Sequence, residues 1–243
     1  MMTLKELRHK FDKLTNKQKS LFNLFLGFCM IREIVKFGHP VLRAKAKEID
    51  TLTNRITTLI ADLSETVDAD SNGVGVCAPQ VNESLRIFVI HQERAHEVMQ
   101  SILKYEQEDY EPKAFSEKKN IGVYINPKIL SFSEEEWTYP EGCLSTPTLY
   151  GDVTRPWEIE VEALDEDFKP FKKTLVGYEA RVFLHENDHL NGVLFIDRLD
   201  KKERKKMTNA MQELKKKFKE YNKQFASFKT SDFIFDNGWY NES

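Results

Sequence analysis

Cysteine is scarce in this chain: Cys29, Cys77 and Cys143 are the only three in 243 residues. That is too few and too scattered for a disulfide framework, which excludes the small disulfide-stapled class and favours a reducing compartment. Long apolar runs are lacking as well. The strongest patch, residues 21–30, is interrupted by Asn23 and falls short of the roughly 18 apolar residues that read as a membrane span, so no membrane association is expected. The patch has no small-residue cleavage pattern. The Lys-rich segment before it contains Glu6 and Asp12 but only Ser20 among serines, which argues against signal and transit peptides and makes the cytoplasm the default location. No internal repeats are visible. With 40% apolar residues, the length suits one substantial core with appendages.

What is present is concentrated in three short segments. In His185-Glu186-Asn187-Asp188-His189 the two histidines stand one helical turn apart, so both imidazoles can meet one divalent ion. Glu186 lies one step round the same turn, where a carboxylate reaches a water on the ion without being a ligand, the general-base position of metal-assisted hydrolysis. Catalytic sites of this kind use three protein ligands, and Cys143 is the natural candidate for the third. It sits in Pro140-Glu141-Gly142-Cys143-Leu144-Ser145-Thr146-Pro147, whose glycine and prolines indicate a constrained turn. The third segment, residues 73–80, is a small-residue loop ending in Gln80, with glycines that let backbone approach a ligand closely.

In this order, G-x-G-x-x-A-x-Q, E-G-C-L-S and H-E-x-D-H resemble the three signature motifs of the peptide deformylase family. Residues 31–43 are similar to that family's N-terminal start, and residues 191–198 to the segment after its metal helix; the resemblance covers residues 30–203. It implies removal of the formyl group from the N-terminal formyl-methionine of nascent peptides. Cys143, His185 and His189 would hold the metal, with Fe²⁺ the implied ion, although a Cys/His/His set also accepts Zn²⁺, Co²⁺ and Ni²⁺. Glu186 would take and return the proton, while the Gln80 amide and the Leu144 backbone N–H would serve as oxyanion donors. The substrate would lie extended against Val74, Gly75 and Tyr150, its methionine near Val74, Leu184 and His185.

Cys77 departs from the family pattern, standing where alanine is usual, with Val76 where leucine is usual. Two readings of Cys77 are open: a small apolar substitute, or a second thiol near the metal. Glu141 and Arg155 are either supporting charges or an ordinary ion pair. Two alternatives to the deformylase reading are a zinc peptidase of another HExxH class, which would take its third ligand downstream of the helix, and a catalytically silent metal-binding ribosome partner.

The expected fold is α+β, with short mixed or antiparallel strands packed around a central helix that carries the HExxH motif. Residues 53–68 place Ile56, Leu59, Ile60 and Leu63 at helical spacing with Thr53 as cap. Residues 85–91, 123–130, 157–164 and 171–176 read as strands, and residues 178–189 as the metal helix, stopped by Asn191-Gly192. Residues 92–120 read as an insertion with a short helix at 95–105. The catalytic domain is expected at 30–203, preceded by an extension at 1–29, either a helical appendage or a leader upstream of a start near Met30. A basic C-terminal helix and tail are expected at 204–243. Residues 201–219 hold nine Lys or Arg against Glu203 and Glu213, a local charge of +7 that leaves −10 on the rest of the chain. Such runs are commonly solvated helix faces; the resemblance adds ribosome contact as a candidate use for Lys201–Lys219. The aromatic residues of the tail at 230–243 have no use assigned by sequence.

Overall fold

The computed structural model describes residues 29–225 apart from 108, 117 and 118. The leader, except for its last residue, and the aromatic tail therefore lie outside the described residues.

Helix α1, Asn54–Ala69, begins where the sequence indicates, because the Thr53 side chain accepts from the Ile56 N–H and caps the first turn. Strand β1, Gly75–Cys77, runs into a 3₁₀ turn at Ala78–Val81 and is followed by β2, Ile87–His91. Helix α2, Gln92–Glu106, opens the insertion, and β3, Ile121–Phe132, closes it. Strands β4, Glu136–Gly142, and β5, Tyr150–Pro156, pair, among the described residues, only with each other. Strands β6, Glu158–Leu164, and β7, Pro170–Val176, join the larger sheet, whose order is β1-β2-β3-β6-β7 and whose ladders are all antiparallel. Helix α3, Gly177–Leu190, then carries the HExxH motif, followed by α4, Phe195–Arg198, α5, Lys201–Lys217, and α6, Lys219–Lys223. The expected α+β class, with a motif helix at the centre, is the observed one.

β2 shows why the sheet lies between two helices. All five of its residues are buried, and they alternate sides: Ile87 and Val89 join a core with Leu59, Ile60 and Leu63 of α1, whereas Phe88 and Ile90 join a core with Phe183 and Leu184 of α3. The period-two alternation of a strand thus serves two apolar faces. A third core, with Val35, Leu42, Val153, Phe195 and Leu214, fixes the C-terminal helices to the N-terminal segment and β5.

Several expectations need amendment. The loop read at 73–80 contains β1 and the 3₁₀ turn, because its central residues Gly75–Cys77 ladder onto Phe88–Ile90. The insertion helix begins earlier, at Gln92, where the His91 ring accepts from the Arg94 N–H. Gly177 is the first residue of α3, in the left-handed region at φ 59°, where glycine carries no Cβ penalty. The basic helix starts at Lys201, capped by Asp200, so the domain boundary expected at residue 203 falls inside it. Among the described residues, no helix is long and apolar enough to cross a membrane.

Candidate metal centre

Three elements deliver the site. Helix α3 carries His185 and His189 on one face, their ring centroids 5.1 Å apart. The turn that follows β4 carries Cys143, and β1 with its 3₁₀ turn carries Gly75 and Gln80. One donor atom each from Cys143, His185 and His189 lies within 4.8 Å of the others. The Cys143 Sγ stands 3.2 Å from His189 Nε2, a separation that two ligands of one ion can adopt, and thiolate with two imidazoles is a donor set suited to a borderline divalent metal. The residues present fit the expected ion.

Electrostatics agree with the donor set. Burial alone would raise the Cys143 thiol, but the neighbouring imidazoles, His189 foremost, hold it well below its ordinary value, in the thiolate form that binds metal. Beneath His185 the sequence has built a support. His185 Nδ1 lies 2.9 Å from Glu141 Oε2, leaving Nε2 as the ring nitrogen that can meet an ion beside Cys143. Glu141 also accepts from Arg155 Nε at 2.9 Å, from Arg155 Nη2 at 3.0 Å and from Arg181 Nη1 at 2.8 Å. Burial works against its charge, yet the His185 and Arg155 contacts keep Glu141 far below the usual carboxylate range. Of the two sequence readings of Glu141 and Arg155, the support for the metal-site histidine is the one the geometry carries. Asp188, inside the motif, is a further partner: it accepts from Arg155 Nη1 at 2.7 Å and Arg198 Nη2 at 2.6 Å.

Glu186 is 3% exposed, and its Oε2 has no hydrogen-bond partner among the described residues. Burial raises its pKa, a change partly offset by His185 and His189. Across from it, Gln80 is held by its amide oxygen, which accepts from the Cys77 N–H at 2.9 Å and the Cys77 thiol at 3.3 Å. Its Nε2 therefore faces the centre, 3.5 Å from both Cys143 Sγ and Ser145 Oγ. Leu144 follows Cys143 in the turn, and the Ser145 N–H donates to Cys143 Sγ at 3.4 Å.

A cavity of about 590 Å³ opens over these groups, lined among others by Val74, Gly75, Gln80, Leu144, Tyr150 and Glu186. Tyr150 stands at its rim, 68% exposed. The residues named from sequence for the metal, the proton and the substrate line this cavity with two exceptions: His189, buried behind the lining beside Cys143, and Leu184. Leu184 packs in the core with Phe88 and Phe183 and is not among the lining residues, because it points from α3 to the sheet. Cys77 is completely buried and forms a second candidate ligand group with Glu186 and His189; burial, with Glu186 adding to it, pushes its thiol well up, so it acts as a neutral donor to Gln80. Neither ligand group draws on a residue downstream of α3.

Sequence reasoning missed Lys36, Arg181 and Asp188. Lys36 lines the cavity and donates from Nζ to the Leu144 carbonyl at 2.9 Å. Arg181, 1% exposed, donates to the Val153 and Trp137 carbonyls at 2.8 Å each, and its guanidinium lies 4.3 Å from the Trp137 ring centroid. A charged residue four positions before the first metal-site histidine was the available signal for Arg181, since it repeats that histidine's helix face.

Comparison with known proteins agrees with the geometry. A family model for polypeptide deformylase matches residues 31–205. A peptide deformylase of Pseudothermotoga lettingae is 39% identical over 168 residues, covering 69% of this chain and 82% of that protein. Among solved structures, a plant peptide deformylase superposes with a TM-score of 0.65 at 30% identity, covering 80% of this chain and 94% of that one. A peptide deformylase from Plasmodium falciparum gives a TM-score of 0.63 at 32% identity, covering 77% and 97%. The similarity runs through the motif helix, the cysteine turn and the glutamine loop together, and the chain belongs to the polypeptide deformylase family.

Proposed function

We propose that this chain is a metal-dependent hydrolase that removes the N-formyl group from the N-terminal formyl-methionine of newly made proteins, releasing formate and a free amine. The observation that carries this reading is the meeting of Cys143, His185 and His189 beside a buried Glu186 carboxylate oxygen that has no partner among the described residues. Cys143, His185 and His189 would hold the ion, which when bound supplies Lewis-acid polarisation and makes water a better nucleophile.

The chain's own residues supply the rest. Glu186 accepts the proton of the attacking water as its oxygen bonds to the formyl carbon, then gives that proton to the amine nitrogen as the C–N bond breaks. Its raised pKa suits both halves of that transfer. Negative charge collects on the formyl oxygen, and two neutral donors are ready for it: the Gln80 Nε2, oriented by Cys77, and the Leu144 backbone N–H. Val74, Gly75 and Tyr150 all line the cavity, and the extended peptide backbone would lie against them.

Fe²⁺ is the ion we assign, on the family resemblance, with Zn²⁺, Co²⁺ and Ni²⁺ accepted by the same donors. Turnover by anaerobically prepared iron protein well above that of the zinc form supports the assignment; equal turnover removes it. A catalytic domain from about residue 30 to the start of α5, with 1–29 and the basic helix and tail as appendages, belongs to the same reading, as does a cytoplasmic location beside the translation machinery. The exposed lysines of α5 are suited to RNA phosphates, and ribosome contact is their proposed use. Reversal of charge at Lys205 and Lys206 should weaken ribosome pelleting, and unchanged pelleting rejects that use.

The activity itself is tested by formate release from formyl-Met-Ala, which Cys143→Ser should abolish while internal peptide bonds stay intact. A flat assay with the metal site fully occupied would instead favour a catalytically silent binding protein.

A further inference from the structure

Lys36 joins the C-terminal helices to the catalytic turn. Its backbone N–H donates to Asn222 Oδ1 at 3.0 Å, and its carbonyl accepts from Asn222 Nδ2 at 2.9 Å. Asn222, on α6, is 9% exposed, and its amide is spent on the backbone of the distant strap, chiefly Lys36, with a longer bond from Nδ2 to the Phe37 carbonyl at 3.5 Å. The Tyr221 hydroxyl adds a bond to the Ile34 carbonyl at 3.1 Å. From the strap so anchored, contacts run forward to both catalytic loops. The Val35 N–H donates to the Gln80 carbonyl at 2.8 Å, the Phe37 N–H to the Ser145 carbonyl at 2.7 Å, and Lys36 Nζ to the Leu144 carbonyl at 2.9 Å.

The last of these matters most. The peptide unit between Leu144 and Ser145 is gripped at both ends, its carbonyl by Lys36 and its N–H by Cys143 Sγ. The bond from the Ser145 N–H back to Cys143 Sγ closes a ring that runs through φ and ψ of Leu144, so with the Leu144 carbonyl also held by Lys36 the direction in which the Leu144 N–H points is restrained. Hydrogen bonds from a cation to a carbonyl are among the stronger ones, and the opposite N–H is polarised in the same sense.

We propose that Lys36 is a positioning residue for the oxyanion donors and that Asn222 is its anchor, which makes α6 part of the catalytic apparatus. This rests on the deformylase reading for its effect on rate. Lys36→Met should lower kcat about tenfold, the scale expected of a modest misplacement, with KM changed by less than about twofold. Lys36→Arg, which can still donate to the Leu144 carbonyl, should recover most of the loss. Asn222→Ala keeps the lysine charge and should lower kcat in the same way, separating position from charge. Truncation after Asp200 is a poorer test, since it removes Leu214 from the third core.

The second readout is independent of turnover: in zinc-loaded protein, the backbone amide signals of Leu144 and Ser145 in NMR spectra should shift in both Lys36→Met and Asn222→Ala, at unchanged metal stoichiometry. If the wild-type chain releases formate and both variants keep its kcat, the inference is overturned while the deformylase reading stands. If the wild type releases no formate, that reading fails, and the amide signals alone decide the inference: unmoved signals overturn it.

Discussion

Glu141 Oε2 lies 2.9 Å from His185 Nδ1, and the same carboxylate is gripped by Arg155 and Arg181. The ring nitrogen of His185 left to face an ion is therefore set by a carboxylate outside the candidate ligand groups. Glu141→Gln should weaken metal binding about 10- to 100-fold, the usual cost of losing such a partner, measured by competition with a chelator of known affinity. Unchanged affinity would show that His185 is oriented by packing on α3 alone.

Arg155 is buried between Glu141 and Asp188, within 3.0 Å of each. Arg155→Leu removes the partner of two buried carboxylates and leaves Glu141 to Arg181 and Asp188 to Arg198. The expected loss is about 3–5 kcal/mol of stability, read from denaturant unfolding of the metal-loaded protein. A loss under about 1 kcal/mol, the range of surface pairs, would mean that the remaining arginines suffice.

Gly75 has no room for a side chain. A Cβ there would come within 2.7 Å of Glu186 Oε1 and 2.9 Å of Val182 Cγ1, so Gly75→Ala must displace the carboxylate or the strand. A displacement of about 1 Å is expected to lower kcat by about 10²-fold while metal content stays at the wild-type level. Full activity in this variant would place the proton transfer elsewhere.

Gln80→Leu keeps much of the side-chain volume and removes the Nε2 donor. Loss of one oxyanion donor typically lowers kcat about 10²- to 10³-fold, and KM should move far less. A change confined to KM would make Gln80 a substrate-binding residue instead.

The parts of the fold that sequence made legible share a cause: they are local. Thr53 and the spacing of Ile56, Leu59, Ile60 and Leu63 specify α1 within one stretch of chain. The candidate metal ligands were legible because two histidines one turn apart state a geometry, and the cysteine turn names its own constraint. β4 and β5 were not legible. Pro140 and Pro156 lie within these strands, and proline argues against a strand unless the strand is at an edge, which a two-stranded ladder provides. Leu184 was placed at the methionine pocket by resemblance, whereas its position on α3 turns it to Phe88 and the sheet. The Lys36–Asn222 contact spans 186 residues of sequence; nothing local announces it, since an asparagine near a chain end is ordinarily a solvated one.

The most direct test is formate release from formyl-Met-Ala by wild-type protein and by Glu186→Ala, both loaded with the same metal to the same stoichiometry. The expected result is rapid formate release by the wild type and its near-complete loss in Glu186→Ala, with the ion still bound by Cys143, His185 and His189. Equal formate release by the two proteins would contradict the role of Glu186, and no release by either would contradict the activity.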